Sequence, residues 1–288
     1  MPEEQTFIKR LVFKFVRKRI AGATLNSALD TTKELNSKGM SSTITFLNDH
    51  VRDSVKARYN LNSYMQLTKQ VSRLNLNSGI SVRLSQLGFN VSEGMANKGL
   101  EELLSVANKS GVRAWLEHES AVDTGSLLDA YSSYHETFTN TGIELPLRSA
   151  HISEIIRGLP KKGSMLKLTA HSYGYSKAKP HDPVELYTSY ARKLGRANSV
   201  YILENDEKTL YTVASRASIP KSNLIVELPL GCSSKWLKRF AKKRLNMGVY
   251  VPYGKDWIPY AINRLTEGRI RGIAIGILNG EASGSYAR

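Results

Sequence analysis

The chain has 288 residues, 41 basic and 25 acidic, for a formal net charge of +16, and 41% of them are hydrophobic. That apolar fraction excludes a disordered chain, and the single cysteine, Cys232, excludes an internally cross-linked scaffold and favours a reducing cytoplasm. No run reaches the ~20 apolar residues of a membrane span, and Lys9, Arg10, Lys14 and the Arg17, Lys18, Arg19 triplet break up the first apolar stretch as a signal peptide does not.

FIKRLVFKFVRKR places Phe7, Ile8, Leu11, Val12 and Phe15 at helical spacing with basic residues opposite. Two readings of this helix stand side by side, attachment to an anionic membrane surface and a plug for the amino-terminal end of the following domain. Eight β-rich runs then alternate with helical patterns: Ser41 to Phe46, Gly79 to Leu84, Gly111 to Glu117, Thr141 to Leu147, Met165 to Ala170, Ser199 to Leu203, Asn223 to Leu228 and Gly248 to Pro252. Ser92, Asp123, Asp182, Asp206, Ser233 and Asp256 stand where helix N-caps belong. A second basic amphipathic helix, KWLKRFAKKR, follows the seventh run and reads as a core-facing stripe with a solvated face.

Strands regularly separated by helices imply right-handed parallel crossovers. Eight units favour a closed (β/α)8 barrel over an open sheet, and TITFLNDHV at the first strand lacks a glycine-rich phosphate loop. The expected division is a helical segment over residues 1–36, an α/β barrel over 37–278 and a disordered tail, NGEASGSYAR, over 279–288.

Chemistry in such a barrel sits at the carboxyl ends of the strands. The polar residues there are Arg83 and Ser85, then Glu117, His118 and Glu119, then Lys167, Thr169 and His171, then Glu204, Asn205 and Asp206, and finally Tyr250 and Tyr253. An inward Arg83 needs a carboxylate partner, and Glu117 on the next strand can supply it. The six histidines show no metal-ligand spacing, and no GxSxG elbow is present. Cys232 falls at a helix start, where a thiolate is favoured.

The segment VYVPYGKDWIPYAINRLTEG, Val249 to Gly268, resembles the proline dehydrogenase family. So, in order along the chain, do IAGATLNSALDTTKELNSKGMSSTITFL, ISVRLSQLG, LEHES, KLTAHSYGY and LEND. The resemblance implies a distorted (β/α)8 barrel holding FAD, with the last helix over the mouth. It implies substrate contacts from Arg83, Glu117, Tyr173, Tyr250, Arg264 and Glu267, and flavin contacts from Lys167, Thr169, Ser172, Asn205 and Leu228. It further implies hydride transfer from L-proline or a similar small secondary amino acid to FAD, with quinone as electron acceptor at a membrane surface. Asn263 stands in place of one carboxylate-binding arginine, and Pro146, Ala170 and His171 also depart from the family's pattern. These departures keep open a non-catalytic barrel that binds a metabolite, membrane or nucleic acid, the last resting on charge alone. The sequence carries no signal for oligomeric state.

Overall fold

The computed structural model describes residues 17–48, 51–147, 152–159, 163–169, 182–195, 198–204, 206–257 and 260. Most of the first basic helix, Ser172, Tyr173, Asn205, Arg264, Glu267 and the tail over 279–288 lie outside the described residues.

The strands are β1 (Ser41–Phe46), β2 (Ser78–Val82), β3 (Arg113–Leu116), β4 (Thr141–Pro146), β5 (Met165–Thr169), β6 (Ser199–Leu203), β7 (Leu224–Pro229) and β8 (Asn246–Tyr253). All pair in parallel in sequence order, and β8 closes on β1 with Tyr250 opposite Thr43. The helices between them are α2 (Ser54–Arg73), α3 (Glu93–Lys109), α4 (Thr124–Tyr134), α5 (Ile152–Gly158), α6 (Pro183–Leu194), α7 (Glu207–Arg216) and α8 (Ser234–Lys242). A preceding helix, α1 (Leu25–Ser37), packs on β8 and β1 and fills the ring position beside the closing seam. The eight expected strands are therefore present, with small shifts at their ends. The second stops at Val82 because Arg83 opens a 3-10 turn over Leu84–Leu87 that Gly88 ends at φ 93. The third begins later, after Gly111 turns the chain at φ 65.

Capping chemistry starts the helices. Ser92, Asp123, Asp182 and Asp206 each accept a backbone N–H of the first turn, as expected. Asp53 and Thr24 do the same for α2 and α1, while Ser233 precedes α8 without a side-chain cap bond.

Side chains alternate in and out along each strand. Ile44, Ile80, Val82, Ala114, Leu116, Ile143, Leu145, Leu166, Leu168, Val200, Ile202, Val226, Leu228, Val249 and Val251 face outward and join the helices in one apolar cluster. The inward set is arranged in layers from alternate strands. Gly79, Gly142, Tyr201 and Gly248 form a lower layer; Thr43, Trp115, Lys167 and Glu227 lie above it, and Ser81, Glu144, Leu203 and Tyr250 above those. Three glycines in one layer make room for bulky neighbours. A Cβ on Gly142 would lie 2.5 Å from the Trp115 ring, and the Trp115 and Tyr201 rings meet edge to face at 4.6 Å. Gly142→Ala therefore destabilises the barrel by about 1–3 kcal/mol through overpacking. Chemical denaturation measures it, and Trp115→Phe in the same chain should recover part of the loss.

Candidate functional site

The mouth is built at the carboxyl ends of the strands. Tyr250, inward on β8, donates its hydroxyl to the Glu117 carboxylate just past β3, lying 2.9 and 3.0 Å from its two oxygens. The Ser81 hydroxyl donates to the same carboxylate at 3.1 Å. All three side chains are buried. Over them Tyr250, Leu47, Leu203 and Tyr260 pack together, with Ile20 and Trp257 against the group. Tyr260 is 1% exposed, so the start of the last segment covers this end of the barrel. From the other terminus, Ala21 N–H donates to the Pro252 carbonyl at 2.8 Å and Gly254 N–H to the Gly22 carbonyl at 3.0 Å. The segments around Ala21–Gly22 and Pro252–Gly254 thus meet at the carboxyl face.

Arg83 is buried beside this group, 1% exposed. Its backbone N–H donates to Gln86 Oε1 at 3.1 Å, and Gln86 Nε2 donates to the Phe46 carbonyl at 2.6 Å. The Tyr64 hydroxyl of α2 reaches into the same network, 2.8 Å from Gln86 Oε1 and 2.9 Å from the Ser81 carbonyl. Burial pushes the Tyr64 phenol up, Arg83 pulls it down and Glu117 raises it, so both charges act at this one hydroxyl. The ion pair expected between Arg83 and Glu117 does not form. Glu117 takes hydroxyl donors instead, which satisfy its oxygens without the long reach of a guanidinium.

The ion pair of the interior lies one layer deeper. Lys167 Nζ is 2.6 Å from Glu227 Oε2, with side-chain exposures of 0% and 1%. Glu227 Oε1 accepts the Thr43 hydroxyl at 2.5 Å. Lys167 Nζ also lies 4.7 Å above the Trp115 ring centre and 5.7 Å from that of Tyr250. Thr43, Glu227, Lys167 and Trp115 come from the four odd strands and complete one barrel layer. The approach to Glu227 is close but poorly aligned, and Lys167 Nζ makes no aligned hydrogen bond. A buried ammonium at this level has the donor chemistry that the carbonyl and ring-nitrogen acceptors of a flavin would need. Glu227 went unremarked in the sequence, although it is the one charge in the otherwise apolar strand LIVELP.

The remaining expected residues divide. Thr169 is inward, at the end of β5, and buried. Leu228 alternates with Glu227 and packs in the outer apolar layer, so its side chain does not share the Lys167 interior. Glu119 is taken up by Ser85, which donates its N–H at 2.9 Å and its hydroxyl at 2.6 Å. Glu204 Oε1 accepts the Asp206 N–H at 3.1 Å. Tyr253 points the other way, in the outer cluster against Phe46, with ring centres 5.2 Å apart. Burial pushes the Cys232 thiol up to about 11, the behaviour of a packed cysteine rather than of a helix-start thiolate. Among the described residues no group of three His, Cys, Asp or Glu gathers as a metal site.

His118 faces away from Glu117 and Glu119, as alternation requires, with Nε2 3.2 Å from Thr124 Oγ1. Burial lowers its pKa from 6.5 to about 4. The unfolded chain therefore binds the proton first as pH falls, and stability present above pH 6.5 is lost between 6.5 and 4. Between pH 7 and 5 this amounts to about 2 kcal/mol. Denaturation midpoints of the native chain and of His118→Gln, followed over that range, should show a shallower decline in the variant.

No protein-family model matches the chain. Among curated proteins it is similar to proline dehydrogenase 1 of Bacillus subtilis (strain 168), 26% identical over 259 residues that make up 87% of this chain and 86% of that one. The proline dehydrogenase of Deinococcus radiodurans is 19% identical over 284 residues, covering 92% of this chain and 90% of that one. Among solved structures, proline utilization A from Bdellovibrio bacteriovorus, inactivated by N-propargylglycine, superposes with a TM-score of 0.74 at 18% identity over 90% of this chain. A Bradyrhizobium japonicum proline utilization A mutant gives 0.72 at 17% identity over 91%. The chain spans about a third of the length of these two structures, 33% and 32%, and shares their barrel fold. The chain is thus similar to proline dehydrogenases along nearly its whole length and shares the closed eight-stranded barrel of the proline utilization A structures.

Proposed function

We propose that the chain is an FAD-dependent oxidoreductase that takes a hydride from L-proline, or a similar small secondary amino acid, at the carboxyl mouth of its barrel. The observation that carries this reading is the Tyr250–Glu117–Ser81 group buried beneath Tyr260. It is a polar group walled by aromatic rings at the end of the barrel where such folds do their chemistry.

FAD, when bound, supplies the hydride acceptor. The chain's own residues bind and orient. By accepting from Tyr250, Glu117 fixes the phenol so that its ring forms one wall, and Tyr260 and Leu203 add apolar faces that exclude water. Lys167 and Thr169 are the flavin-side residues of β5, and Ser172 and Asn205 take the same role by the resemblance alone. Arg264 supplies the planar guanidinium for the substrate carboxylate, with Glu267 and Tyr173 completing the substrate side. Electrons pass onward to quinone.

Purified protein reconstituted with FAD should be yellow and should reduce an artificial acceptor with L-proline. Colourless protein that takes up no FAD contradicts the reading. With the family's second arginine replaced by Asn263, Arg264→Ala should raise KM for proline at least tenfold, as loss of a charge-assisted contact of ~1.5–3 kcal/mol requires. An unchanged KM removes Arg264 from the site.

Quinone as acceptor calls for a membrane-facing surface, for which Phe7 to Arg19 is the candidate by pattern. Since Ile20 to Gly22 dock at the mouth, the informative deletion is residues 1–16. It should abolish salt-sensitive binding to anionic liposomes and leave the thermal transition intact; a lowered transition with liposome binding unchanged speaks for a structural role instead.

A further inference from the structure

We infer that Glu227 is a positioning residue of the redox centre: with Thr43 it holds the Lys167 ammonium in the floor of the mouth and sets the positive charge that a bound flavin meets. The inference rests on the flavin reading above and extends it to a residue on β7.

Three observations converge. Glu227 is the carboxylate in contact with Lys167, at 2.6 Å, and both are fully out of water. Glu227 is itself fixed, since the Thr43 hydroxyl donates to its other oxygen. Lys167 lies over Trp115 and within reach of the Tyr250 ring, which ties the pair to the layer that carries the mouth. A purely structural pair could sit anywhere along the barrel. This one stands directly beneath Tyr250, and Lys167 keeps N–H donors without an aligned acceptor.

The physical consequence is a change in driving force. Reduction adds negative charge to a flavin, so a buried cation nearby favours the reduced form and a buried carboxylate beside that cation offsets it. Removing the carboxylate and keeping the cation should raise the flavin midpoint potential, and removing the cation should lower it. A packing role moves stability without moving the potential in opposite directions.

The experiment is a spectroscopic redox titration of the FAD-loaded full chain, native and variant. Glu227→Gln should shift the two-electron midpoint upward by at least a tenfold change in the reduced-to-oxidised equilibrium, about 30 mV. Lys167→Met should shift it downward, and Glu227→Asp should stay nearer the native value than Glu227→Gln. If Glu227→Gln does not fold, Thr43→Val loosens the same carboxylate, and the upward shift should persist in smaller form. Flavin retained with unchanged midpoints in Lys167→Met and in whichever of Glu227→Gln and Thr43→Val folds overturns this inference and leaves the flavin reading standing. Native protein that binds no FAD overturns both.

Discussion

Two opposite charges, each taken wholly out of water at the axis of the barrel, constrain everything placed around them. Lys167 and Glu227 sit where barrels of this class normally carry branched apolar side chains. Each is costly to bury without the other, and the pair tolerates desolvation only with good contacts on its other sides. Thr43 supplies a hydrogen bond and Trp115 a ring face under the ammonium. The glycine layer below, the polar layer above and the Glu117 group follow from keeping this interior hydrophilic while the outer faces of the same strands remain apolar.

Once the interior is polar, the mouth above it is ready for a charged ligand. Glu117, held by two hydroxyls, and Arg83, held by the Gln86 turn, bring opposite charges to the same rim without neutralising each other directly. Tyr260 and Leu203 then exclude water and strengthen those interactions. The closed barrel shared with proline utilization A structures supplies the scaffold, and the similarity to proline dehydrogenases runs along the whole barrel rather than through one motif.

Much of this was legible in the sequence. The eight strands could be read because each is a short apolar run bounded by turn residues, and the caps because Asp and Ser precede the helices with little competing chemistry. Strand ends are less legible: the Arg83 turn depends on Gly88, six residues past the end of β2, and on a Gln86 side chain that bonds back to Arg83. At the site, Tyr250, Glu117 and Arg83 were found together, but their pairing was not. Partner choice depends on which hydroxyls the closed barrel brings across, and Ser81 gives no such sign. Glu227 was missed because its partner lies two strands away around the barrel, a relation that alternation alone reveals only once Lys167 and Glu227 are seen to share the inward face. Leu228, given to the cofactor by the resemblance, places its side chain in the outer apolar cluster.

Lys167 and Glu227 hold each other in the barrel as one ion-paired unit, and a double-mutant cycle on stability tests that most directly. Lys167→Met alone or Glu227→Gln alone should cost about 3–5 kcal/mol in denaturant unfolding, because each leaves a buried partner without its opposite charge. The double variant should lose much less than the sum. Single losses that simply add in the double variant would contradict the account.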